Sequence, residues 1–119
     1  GLDYPGIGPQ LAHLGSIGRV EFRQAKDQEA LKAVQFFAKT EGVIFALESA
    51  HGAAQAIELA KELGPGKNMI INMSGRGDKD IFISAPKFTP QAWKSYLESE
   101  AAGIPDNAQG LLEELVYDK

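Results

Sequence analysis

The chain has 119 residues, 44% of them hydrophobic and 24% charged, which allows one globular domain with a modest core and leaves no room for two. A net charge of −4 argues against a general nucleic-acid-binding surface, and no apolar run approaches the ~20 residues that cross a bilayer. Cysteine is absent, which excludes disulfides, thiolate metal sites and thiol nucleophiles.

No leader or transit segment is visible, so a cytoplasmic setting is expected. The opening Gly1-Leu2-Asp3-Tyr4-Pro5-Gly6 lacks an initiator methionine and reads either as a processed start or as a cut from something longer. Pro5, Gly6, Gly8 and Pro9 make residues 1–9 a stiff loop, because two prolines fix φ and remove backbone donors. Asp3 is its only charge. A short turn of helix follows over 10–14, ended by Gly15. Val20 and Phe22 then alternate with Glu21 and Arg23, a period of two that predicts a half-covered strand over 19–25.

Asp27 is placed to cap a helix carrying Ala30, Ala33, Val34, Phe37 and Ala38 at helical spacing as far as Glu41, with Gly42 closing it. Residues 43–47 are an apolar run, readable as a strand or as a buried turn. Ser49 is the expected N-cap of a second helix, with Ala53, Ala56, Ile57, Ala60 and Leu63 on one face and Gly64-Pro65-Gly66 as its stop. Met69-Ile70-Ile71 reads as a buried strand feeding Asn72 to Asp80. Ile81-Phe82-Ile83 is another short apolar run. Thr89-Pro90 supplies a cap and an N1 proline for a helix bearing Trp93, Tyr96 and Leu97. Asn107 caps a last helix with Leu111, Leu112, Leu115 and Val116 inward.

Strands alternating with helices predict an α/β fold: a small, mainly parallel sheet flanked by helices over residues 1–83, with a helical C-terminal extension over 84–119. Two or three parallel strands cannot cover both faces and both edges, so further protein is expected beside them.

The run at 72–80 is bracketed by glycine and charge. Gly75 and Gly77 are placed to take positive φ and let a ligand approach the backbone. Ser74 ends the predicted strand, where open α/β sheets bind ligands, and a parallel sheet would gather Asp3, Glu48 and Ser74 at one rim. The alternative is a set of solvated turn residues. Phosphate-loop and dinucleotide patterns are missing, His13 and His51 lack metal-ligand spacing, and neither Ser49 nor Ser74 sits in a nucleophile elbow. The sequon at Asn72-Met73-Ser74 and the adhesive tripeptide Arg76-Gly77-Asp78 read as chance matches.

At these same stretches the sequence resembles the β subunit of tryptophan synthase. The matching pieces are Gly1-Leu2-Asp3-Tyr4-Pro5 with Gly8-Pro9, Ile17-Gly18-Arg19, Thr40-Glu41-Gly42-Val43-Ile44, Ala46-Leu47-Glu48-Ser49 with His51, and Asn72 to Asp80. The resemblance runs to about Phe82 and implies the C-terminal part of a fold type II pyridoxal 5′-phosphate enzyme that replaces the hydroxyl of serine with indole. It implies that Ser74, followed by Gly75, faces the pyridine nitrogen. A hydroxyl there can donate to a neutral nitrogen but cannot hold it protonated as a carboxylate would, which favours elimination.

Glu48 would lie beside the cofactor near its reactive carbon and ring oxygen. Asp3 would engage the hydroxyl of the bound serine, and backbone carbonyls around Tyr4 and Gly6 would hold a monovalent cation. Arg76 and Asp78 would form a structural ion pair. Implied partners are the remainder of the β chain and the α subunit, together with self-association. Phe45 stands where the family usually has proline and Ala50 where it usually has a second serine. The Schiff-base lysine and the glycine-serine phosphate loop are missing, so the chain alone is expected to be inactive. The alternative is a non-catalytic interaction or structural module derived from the same fold.

Overall fold

In the computed structural model the described residues are Leu2 and 5–103. Among the described residues there are five α-helices: α1 (Pro9–Ser16), α2 (Asp27–Glu41), α3 (Leu47–Leu63), α4 (Ile81–Phe88) and α5 (Pro90–Gly103). A single 3-10 turn, Asp78–Asp80, runs straight into α4. The chain divides into two compact units between Ile81 and Phe82.

Among the described residues there is no strand and no sheet, and this overturns the α/β expectation. The reason lies in how each element satisfies its backbone. A helix closes its hydrogen bonds within its own segment, whereas an extended run becomes a strand only when a neighbour completes the ladder. The three stretches read as strand or apolar turn, 19–25, 43–47 and 69–71, have no such neighbour among the described residues. Several of their apolar side chains stay outward, Phe22 at 54% exposed, Ile44 at 60% and Ile70 at 98%, while Phe45 and Ala46 turn into the core. The last apolar run, Ile81-Phe82-Ile83, opens α4 instead of forming a strand.

The first unit is built on α2 against α3. Asp27 is not the cap expected of it but the first residue of α2: Lys26 stands at the N-cap, its N–H accepted by Glu29 at 2.7 Å across the first turn, while Gly42 closes the helix as expected, in the left-handed region at φ 68°. Ala30, Ala33 and Val34 from α2 are buried, as are Ala50, Ala53, Ala54 and Ala56 from α3. Methyl groups on both faces let the two backbones approach closely. Phe45 is the one large side chain in this core, 2% exposed, with its ring edge-on to Phe37 at 5.7 Å. The bidentate pair of Arg23 with Glu62, at 2.7 and 2.8 Å, fastens the 21–23 segment to the last turn of α3.

In the second unit α4 and α5 meet at Thr89, whose carbonyl accepts the Trp93 N–H at 2.9 Å. Thr89 does not cap α5 with its side chain; its hydroxyl turns back to the Ala85 carbonyl at 3.4 Å. Phe82, Trp93 and Tyr96 form a run of ring contacts, with centroids 5.6 and 5.4 Å apart. The helix expected after Asn107 lies outside the described residues.

Candidate functional site

The polar residues of interest converge on the start of α3. Ala46 is its N-cap, extended at φ −62° and ψ 147°, and has no side-chain group to offer the first-turn N–H groups. Asp80 fills that gap from the 78–80 turn, accepting the Leu47 N–H at 3.0 Å. Lys79 adds a second tie: its Nζ lies 2.8 and 3.0 Å from the Asp80 carboxylate and 3.0 and 3.2 Å from that of Glu48. The loop that carries these residues is also pinned by its backbone, with the Gly77 N–H donating to the Ile44 carbonyl at 3.3 Å.

Two glycines make this approach feasible, for different reasons. Gly75 has the expected positive φ, 72°, and a Cβ there would lie 2.9 Å from that of Ala46. Gly77 does not have positive φ; its value is −86°. A Cβ on Gly77 would run into the Ile44 side chain and come within 2.7 Å of the Phe45 carbonyl. Close packing, not handedness, requires glycine there.

Ser74 is held by Ser49. The Ser74 N–H donates to Ser49 Oγ at 3.1 Å, Ser49 Oγ–H donates to the Ser74 carbonyl at 2.9 Å, and the two hydroxyl oxygens are 2.8 Å apart. Ser49 is therefore not the N-cap expected of it. It sits in the first turn of α3 and spends its side chain on the opposing loop.

Backbone hydrogen bonds and Lys79 together shape the charge of this cluster. Glu48 is held below the ordinary glutamate value, first by a backbone hydrogen bond at the helix start and then by the Lys79 ammonium. For Asp80, burial pushes upward, but the hydrogen bonds from Lys79 and from the Leu47 N–H outweigh it and leave the group below its ordinary value. Lys79 is raised in turn by Asp80 and Glu48. Both carboxylates are thus ionised at neutral pH, bridged by one cation.

Of the residues singled out by sequence, Glu48, Ser74 and Gly75 are brought to one place, because Ser49 adjoins Glu48 and grips Ser74. Asp3 and Tyr4 lie outside the described residues, and Gly6 is an exposed loop position. The expected Arg76–Asp78 ion pair is present, Nε to Oδ1 at 3.3 Å. Sequence reading missed Lys79 and Asp80 as the latch and Ser49 as the clamp. The signal was there in part: Lys79 and Asp80 are adjacent charges just past the turn through Gly75 and Gly77, and no helical period explains them.

The site is an open rim. Grooves of about 460 and 430 Å³ flank the α2–α3 pair, and neither includes Glu48 or Ser74. His51 does not serve either serine: its Nδ1–H donates to the Leu47 carbonyl at 2.9 Å, and Nε2 faces Asp27 at 3.6 Å. Among the described residues no cluster of three or more His, Cys, Asp or Glu could hold a metal ion, and no helix is long and apolar enough to cross a membrane.

A polar cluster at the start of α3, on a helical pair flanked by extended segments that form no ladder among the described residues, is what the structure presents. No family model matches the chain. Over 104 residues, 87% of its length, it is 60% identical to the tryptophan synthase beta chain of Helicobacter hepaticus (strain ATCC 51449 / 3B1). The match takes in 24% of that relative, its C-terminal part, so this chain spans about a quarter of the length of the curated relative it matches. The chain is accordingly a relative of the tryptophan synthase beta chains, corresponding to their C-terminal portion.

Proposed function

We propose that the chain forms the C-terminal portion of a tryptophan synthase β chain and supplies one wall of a pyridoxal 5′-phosphate site, in an enzyme that replaces the hydroxyl of serine with indole. The observation that supports this reading is the fastening of the 72–80 loop to the start of α3, Ser74 on Ser49 and Lys79 on Glu48, with Asp80 on the Leu47 N–H. The residues present fit one edge of that cofactor: an uncharged hydroxyl suits a ring nitrogen, and an anchored carboxylate suits the region beside the ring oxygen. When bound, the cofactor supplies the electron-withdrawing ring that elimination and replacement at serine require. Ser74 then orients the ring through its nitrogen, Gly75 lets the backbone lie close, and Glu48 sets the local charge. Lys79 pairs with Glu48 and fixes where it stands.

Asp3 on the substrate hydroxyl and the Tyr4 and Gly6 carbonyls around a monovalent cation complete the reading, on the strength of the resemblance. The remainder of the β chain and the α subunit are the partners it implies, in the cytoplasm, with residues 84–119 as a helical extension. Exposed Ile44, Phe22 and Ile70 support a neighbour over the first unit.

The test is to mix the purified chain with pyridoxal 5′-phosphate, reduce with borohydride and map any adduct. The expected result is no lysine-bound absorbance band and no specific adduct. Stoichiometric labelling of one lysine would overturn the inactive-portion reading. The same exposed apolar segments favour a second reading, a non-catalytic module that pairs with itself. A defined, concentration-independent dimer by sedimentation would support it.

A further inference from the structure

We propose that Lys79 is a positioning residue for Glu48 and that Asp80 governs its hold: one ammonium is divided between two carboxylates, so the buried Asp80 tunes how firmly Glu48 is held at the start of α3. The proposal rests on the cofactor reading above, which places Glu48 beside the bound ring.

An ammonium carries three protons and no lone pair. Lys79 Nζ has four carboxylate oxygens within reach, those of Asp80 at 2.8 and 3.0 Å and those of Glu48 at 3.0 and 3.2 Å. Four acceptors for three protons make the carboxylates competitors, and the competition is one-sided. Asp80 has the shorter contacts, is 8% exposed and also accepts the Leu47 N–H at 3.0 Å, so it stays where it is. Glu48 has the longer contacts and a side chain 44% exposed, so it is the carboxylate with room to turn. The neighbouring charges are engaged elsewhere. On α3, His51 is bonded to the Leu47 carbonyl at 2.9 Å; from α2, Asp27 faces His51 at 3.6 Å; in the loop, Arg76 pairs with Asp78 at 3.3 Å. Lys79 and Asp80 therefore act on Glu48 with opposite sign. The cation favours its ionised form, while the buried anion draws that cation off and repels Glu48. Beyond the backbone hydrogen bond that lowers Glu48 most, the same signs hold, Lys79 lowering it and Asp80 raising it. A latch that served stability alone would give both residues one sign, because loss of either loosens the same turn.

The test uses a complete β chain, that of Helicobacter hepaticus with its C-terminal portion exchanged for this sequence, and glutamate labelled with 13C at the side-chain carboxyl. The Glu48 signal is identified by its loss in Glu48→Gln, and its titration is followed by NMR alongside the kcat of tryptophan formation. Lys79→Met is expected to move the Glu48 midpoint up and to lower kcat about threefold, the size of a partly exposed ion pair. Asp80→Asn keeps an acceptor for the Leu47 N–H and is expected to move the midpoint down. Lys79→Arg, which keeps the charge, is expected to restore both midpoint and kcat. If Asp80→Asn does not fold, Asp80→Ser carries the same expectation. The proposal is overturned, and the cofactor reading left standing, by a midpoint that Lys79→Met leaves in place, by one that Asp80→Asn leaves in place or moves up, or by an unchanged kcat in Lys79→Met. A complete chain that does not fold, or one in which Glu48→Gln forms tryptophan as fast as before, overturns the placement of Glu48 beside the ring and the proposal with it.

Discussion

Gly77 has an ordinary backbone conformation and still has no room for a methyl group, because the Phe45 carbonyl and the Ile44 side chain stand where a Cβ would go. Gly77→Ala is expected to destabilise the first unit by about 1–3 kcal/mol through overpacking, read as a lower urea midpoint. Gly75→Ala meets a different cost, about 1–2 kcal/mol for a side chain at φ 72°. The Gly75 conformation was legible, since a serine-glycine step at the end of an apolar run asks for a sharp turn. The packing at Gly77 was not, because the chain that crowds it comes from the far side of α3. Ser49 shows the same limit: its position near a helix start was readable, but its partner is in another loop.

The two long helices of the first unit, whose bonds close locally and whose alanines keep a clear period, were readable; α4, with Pro86 inside it and only a short apolar run to announce it, was not. α2 and α3 follow from the spacing of their alanines and from Gly42 and Gly64-Pro65-Gly66 as stops, whereas the apolar runs before and after α3 are strand-like without a ladder to join. The alanine interface gives a sharp expectation. Ala53→Leu, at a fully buried position facing α2, should cost about 1–3 kcal/mol. Truncating the core's one large ring, Phe45→Ala, should cost about 3–5 kcal/mol, and both are checked by urea unfolding.

The latch between the 78–80 turn and α3 also makes stability depend on acid. Glu48 and Asp80 both lie below their ordinary values of 4.5 and 3.8 in the folded chain. A depressed carboxylate stabilises the fold above its unfolded value, and that contribution disappears as pH falls through the folded one. Stability is therefore expected to decline from about pH 4.5 downward. Asp80→Asn keeps an acceptor for the Leu47 N–H but removes the charge facing Lys79, so its urea midpoint should fall less steeply over the same acid range.

At the scale of the molecule, the helical pair is a thin support with much apolar surface left over. Val34 and Phe45 are the only core side chains larger than alanine among the described residues, while Phe22, Ile44 and Ile70 face outward. The family resemblance was legible because a short motif, the 72–80 run, carries it; the sheet was misread, because the apolar runs taken for its strands have no ladder to join among the described residues. The most direct measurement is a replacement. The C-terminal portion of the Helicobacter hepaticus beta chain that this sequence matches is exchanged for the sequence itself, and tryptophan formation from serine and indole is assayed. The expected result is a chimera that makes tryptophan and loses that activity when Glu48 is changed to alanine. A soluble, cofactor-loaded chimera that makes none would contradict the reading of this chain as the missing wall of the site.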